Sequence, residues 1–91
     1  MEQRFLVRYV GRVQGVGFRA NARRVAQDFK VKGWVKNEAD GSVQMIVTGV
    51  GAEVQAFLKG IRDSGLGSYI HQEIVEPTSR TDFTDKFEVR F

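Results

Sequence analysis

The apolar and polar positions along the chain change period several times, and each change marks an element. In residues 4–10, "RFLVRYV", the positions Phe5, Val7 and Tyr9 recur every second residue, the pattern of a strand with one face in a core. From Phe18 the apolar residues are Phe18, Ala22, Val25, Ala26 and Phe29, the stripe of an amphipathic helix. Residues 31–37, "VKGWVKN", read as a short strand, and "EADG" after them carries the Asp-Gly signal of a tight turn. In "SVQMIVT", residues 42–48, Val43, Met45 and Val47 alternate with Gln44, Ile46 and Thr48, which completes a β-hairpin. Val54, Phe57, Leu58 and Ile61 predict a second helix ending near "DSGLG", whose glycines suit a helix C-cap. "SYIHQEIVE", residues 68–76, is rich in β-formers, "PTSRTDFTD" reads as a polar connection, and "KFEVRF" alternates through Phe87, Val89 and Phe91.

The order strand, helix, strand, strand, helix, strand, strand predicts an α+β domain over residues 1–91, a ferredoxin-like split βαβ sandwich. Its antiparallel sheet carries both helices on one face. With right-handed crossovers the first and third strands lie side by side at the centre, and the loop after the first strand sits at the end of the sheet.

Composition narrows the chemistry. Hydrophobic residues make up 42% and charged residues 27%, no apolar run approaches a membrane span, and "MEQRFLVRYV" lacks the pattern of a secretion leader. A soluble cytoplasmic protein is the expectation. There is no cysteine and one histidine, His71, which removes thiol nucleophiles, thiolate metal sites and His-dependent triads; His71 itself is expected in a half-exposed strand. Residues 8–36 hold eight basic residues against Asp28 alone, whereas the rest of the chain holds six basic against ten acidic. A regional excess of that size attracts anions.

The basic third contains "GRVQGVGFR", residues 11–19, between the first strand and the first helix. Backbone amides of a glycine-rich turn converge on an anion, and a helix N-terminus adds about half a positive charge. The same glycines equally serve a sharp turn. Arg19 favours the anion: a cation in the first helical turn opposes the helix dipole unless an anion is bound, and its planar fork holds two oxygens at once. "GVGFRA" also satisfies a dinucleotide-binding pattern with Glu38 further on, but the hairpin after residue 37 and the short chain leave no room for the doubly wound sheet that pattern needs. An RNA-binding reading of the same element order lacks aromatics in "SVQMIVT".

Together, "GRVQGVGFR" and "GWVKNEADGSVQMIVTG", residues 33–49, resemble the two signatures of the acylphosphatase family, and the resemblance extends over essentially the whole chain. It implies hydrolysis of acyl phosphates to a carboxylate and inorganic phosphate, with no metal or cofactor, no nucleic-acid or membrane partner, and a monomeric protein. It also implies a phosphate loop through Gln14, Gly15, Val16, Gly17 and Phe18, completed by Arg19, and an attacking water positioned by Asn37. Alone, Asn37 reads as a polar residue closing a strand before a turn. The other class of function compatible with these residues is an anion-binding module without turnover. Ala22 stands where many members have Thr, and Val50 where many have Pro.

Overall fold

The computed structural model describes residues 1–91. Its elements are β1 (Glu2–Gly11), α1 (Phe18–Ala26), β2 (Val31–Asn37), β3 (Val43–Val50), α2 (Gly51–Asp63), β4 (Ile70–Pro77) and β5 (Phe87–Arg90), with a 3₁₀ turn at Gly65–Tyr69. The five strands form one sheet in the order β4-β1-β3-β2-β5. β3 lies between β1 and β2, so the β1-α1-β2 unit is split, as the element order predicts. Three pairings are antiparallel, but β5 runs parallel to β2, which makes the sheet mixed.

One sheet face packs on both helices. Val7, Tyr9, Val35, Met45 and Val47 meet Phe57, Leu58 and Ile61 of α2 and Phe18 and Ala22 of α1, all fully or almost fully buried. Each large side chain taken from water in this way contributes about 1.5–3 kcal/mol. α1 is shorter than its apolar stripe. After Ala26 the chain tightens, with the Asp28 and Phe29 amides donating to the Val25 and Ala26 carbonyls at 3.1 Å, and Phe29 still reaches the core against Phe57 with ring centroids 6.3 Å apart. Ser64, not a glycine, closes α2: its Oγ donates to Ile61 O at 2.7 Å and accepts from Leu66 N at 3.2 Å.

The second face explains why Ile46 and Thr48, which alternate with the core-facing Met45 and Val47, are also buried. β4 and β5 occupy opposite edges, so the polar connection between them must cross the sheet. It does so over this face. Trp34 Nε1 donates to Asp82 O at 2.9 Å, Arg4 donates to Arg80 O at 2.8 Å, and the guanidiniums of Arg80 and Arg90 lie 5.3 and 5.2 Å from the Trp34 ring centroid. An aromatic residue therefore does stand on this face, but it is covered by protein and offers no stacking platform for a base. His71 lies exposed on the edge strand β4.

Gly33 shows how closely β2 and β3 approach. At φ 144° a Cβ built on it would lie 1.8 Å from the Ile46 carbonyl oxygen. Gly33→Ala is expected to lower stability by about 3 kcal/mol through that backbone clash and the disfavoured φ. Denaturant unfolding measures it, and an unchanged midpoint would contradict the close approach.

Register brings four strand ends to one end of the sheet. Tyr9 pairs with Val43, Val43 with Asn37, and Lys36 with Arg90, so the ends of β1, β2 and β5 and the start of β3 lie together. The glycine loop leaves β1 at that end and enters α1.

Candidate active site

The loop's shape follows from its glycines. Gly15 and Gly17 have φ 78° and 75°, Val16 between them does not have a positive φ, and Gly17 is the residue preceding the first turn of α1. Alternation of this kind is compatible with a turn whose amide N–H groups face one point, and a helix start leaves its first N–H groups without intrahelical partners. Phe18 anchors it from below: its ring is buried and stacks at a tilt on Tyr9, centroids 5.0 Å apart. Burial foremost, and then the Glu73 carboxylate, push the Tyr9 hydroxyl well above its ordinary pKa.

A cavity of about 240 Å³ opens over this loop, lined by Val13, Gly15, Gly17, Phe18, Arg19, Ala20, Asn37, Val89 and Phe91. Five of the residues singled out in the sequence, Gly15, Gly17, Phe18, Arg19 and Asn37, thus share one cavity although they come from a loop, a helix start and a strand end. Arg19 is the only ionisable side chain in the lining. It is half-buried and held in place: its Nη1 donates to the Arg90 carbonyl at 3.0 Å, and its guanidinium lies 4.7 Å from the Phe91 ring centroid. A guanidinium has five N–H donors, so this single bond leaves the remainder of the fork available to an anion.

Two of the sequence candidates have side chains directed elsewhere. Gln14 Nε2 donates to the carbonyls of Glu38 and Ser42 at 2.8 and 2.9 Å, and Val16 lines a separate groove with Asn21, Arg24 and Leu66. Any part they take in an anion cradle belongs to their backbone amides. Ala22 is fully buried in the core and does not line the cavity. Val89, Phe91 and the Arg90 carbonyl were not singled out in the sequence. The alternating "KFEVRF" marked a strand, but only the parallel pairing of β5 with β2 brings its end beside α1.

The family model for acylphosphatase matches residues 5–89. The chain belongs to the acylphosphatase family. Among acylphosphatases, that of Yersinia pseudotuberculosis is 38% identical over 93 aligned positions, covering 100% of both chains. That of Salinibacter ruber is 35% identical, covering 98% of this chain and 94% of its own. The crystal structure of the Bacillus subtilis acylphosphatase superposes with a TM-score of 0.86 at 28% identity, covering 100% of each chain. Acylphosphatases act on acyl phosphates and release phosphate, and this chain is an enzyme of that kind. The two expectations with the widest reach, fold and family, hold. No helix is long and apolar enough to cross a membrane.

Proposed function

We infer that the cavity over the glycine loop is where an acyl phosphate is hydrolysed, its phosphoryl group held by Arg19 and by the backbone amides of Gln14, Gly15, Val16, Gly17 and Phe18, and its attacking water by Asn37. The observation that carries this reading is that Arg19, Gly15, Gly17 and Asn37 line a single cavity. The phosphate oxygens would lie against the convergent N–H groups and the free part of the guanidinium fork. In that position the dipole of α1 changes from a cost to Arg19 into a shared attraction for the anion.

No side chain of the lining is a carboxylate, histidine or thiol, and the reaction suits that poverty. The water oxygen forms a bond to phosphorus as the bond from phosphorus to the acyl oxygen breaks. The leaving group is a carboxylate whose conjugate acid has a pKa of about 4, so no general acid is needed to protonate it. The water's proton passes to a phosphoryl oxygen of the substrate. What remains for the protein is alignment and the stabilisation of negative charge spread over the phosphoryl oxygens. Asn37 suits its part because a neutral amide offers a donor and an acceptor to one water without repelling the anion. The apolar walls, Val13, Val89 and Phe91, would receive the acyl portion.

Steady-state hydrolysis of benzoyl phosphate in the presence of a strong chelator tests the reading. Full turnover under those conditions, with inorganic phosphate as a competitive inhibitor, is the expected result. Binding of phosphate without turnover would replace the enzyme by an anion-binding module, and a requirement for added Mg²⁺ would overturn the assignment of charge stabilisation to Arg19 and the loop alone.

A further inference from the structure

Gln14 stands in the glycine loop, yet its half-buried side chain does not line the cavity. Both protons of an amide –NH₂ are committed, one to Glu38 O at 2.8 Å and one to Ser42 O at 2.9 Å. These carbonyls stand at the two ends of the turn between β2 and β3, and Glu38 follows Asn37 directly.

The turn does not need Gln14 to hold its shape. Glu38 N donates to Ser42 O at 2.9 Å and Gly41 N to Glu38 O at 3.1 Å. Asp40 Oδ1 accepts from Ser42 N at 2.9 Å and from Ser42 Oγ at 2.6 Å. Each carbonyl that Gln14 reaches therefore keeps a backbone donor of its own.

What the sheet itself lacks is a direct tie between the loop and Asn37. The loop continues β1 and Asn37 ends β2, and these strands are not neighbours, because β3 separates them. No ladder bond fixes one against the other. Gln14 spans that gap from the loop to the turn.

We propose that Gln14 is a positioning residue, a strut that sets the distance between the phosphate cradle and the amide of Asn37 without its side chain touching the substrate. The proposal rests on the roles given to Arg19 and Asn37 above. It matters because displacement requires the water oxygen within about 3–3.5 Å of phosphorus and in line, and an error near 1 Å costs on the order of a hundredfold. The water and the phosphoryl group are carried by different segments, so their relative placement needs a cross-link.

Gln14→Met keeps the length of the side chain and removes both donors. With benzoyl phosphate, kcat should fall about tenfold or more, while KM and the inhibition constant of inorganic phosphate stay within about twofold, the signature of lost alignment and not of lost binding. In the Asn37→Ala background the same substitution should have no further effect, since no positioned water remains to be misplaced. Gln14→Glu sets acceptors against two carbonyls and should lower kcat at least as far, so the strut remains testable if Met repacks the loop.

Unchanged kcat in both variants, an equal fall in the Asn37→Ala background, or loss of phosphate inhibition in step with kcat would each overturn the strut. Those results, seen while Asn37→Ala itself is slow, leave the roles of Arg19 and Asn37 standing. Wild-type turnover in Asn37→Ala would instead remove the reading on which the strut depends.

Discussion

Arg19→Ala is expected to lower kcat/KM for benzoyl phosphate by on the order of 10⁴, or about 5.5 kcal/mol of transition-state stabilisation, and to abolish protection of the fold by inorganic phosphate. The size follows from the lining of the cavity. Arg19 supplies its only charged side chain, and no second cation in the lining stands ready to replace it. Charge on the phosphoryl oxygens that developed against one half-buried guanidinium would then meet backbone dipoles alone. The sign of the effect on stability is a separate check. Without an anion, Arg19 in the first turn of α1 opposes the helix dipole, a cost of about 0.3–1 kcal/mol. Against that stand one hydrogen bond to the Arg90 carbonyl and a contact with the Phe91 ring. These nearly cancel, so the melting temperature without phosphate should shift by no more than about 4 °C. Added phosphate at a hundred times its dissociation constant should stabilise the wild type by about 2.7 kcal/mol and the variant not at all. Arg19→Lys should lie between the two, because an ammonium keeps the charge but not a planar fork able to meet both the Arg90 carbonyl and a phosphoryl oxygen. Phosphate protection that survives in Arg19→Ala would overturn the cradle.

That charge was legible in the sequence because it broke a local rule. A cation at a helix start after three glycines is unfavourable without an anion, and the glycines themselves permit the turn that would bind one. Elements with strong periodicity were equally plain: Val7 and Tyr9 of β1 and Val54, Phe57, Leu58 and Ile61 of α2 lie buried where their spacing puts them, and Phe5 packs half-buried against the same core. Burial on the second face was not legible. Ile46 and Thr48 are buried on the face that the connection after β4 crosses at Trp34, and nothing in "SVQMIVT" records that a segment thirty or more positions later lies there. The direction of β5 was hidden for the same reason. A short alternating run reads alike whether it pairs parallel or antiparallel, and here the long connection over Trp34 allows the parallel arrangement. With that direction unknown, neither the Arg90 carbonyl nor Phe91 could be placed beside Arg19. Side chains within the loop were a further limit: spacing puts Gln14 in the anion-binding segment, but only the fold shows its amide turned to Glu38 and Ser42.

Asn37→Ala is expected to lower kcat by on the order of 10³, about 4 kcal/mol, while KM and phosphate protection remain close to wild type. The fold should tolerate the change. Asn37 closes β2 opposite Val43 through its backbone, so truncating the side chain leaves the ladder intact, and a half-buried polar group is lost without opening a core cavity. The separation between Arg19→Ala, which loses binding and turnover, and Asn37→Ala, which loses turnover alone, is the signature of a site that divides phosphate capture from water alignment. Asn37→Asp sharpens it. The carboxylate is nearly the same size but offers no donor and places a negative charge beside the phosphoryl group, so kcat should fall and KM rise together. If Asn37→Ala turns over normally, the water is held by something else and Asn37 returns to being the polar end of a strand. If Asn37→Asp instead matches the wild type, the amide's neutrality has no part in the reaction, and a carboxylate would have been a permissible base in a cavity whose side chains supply none.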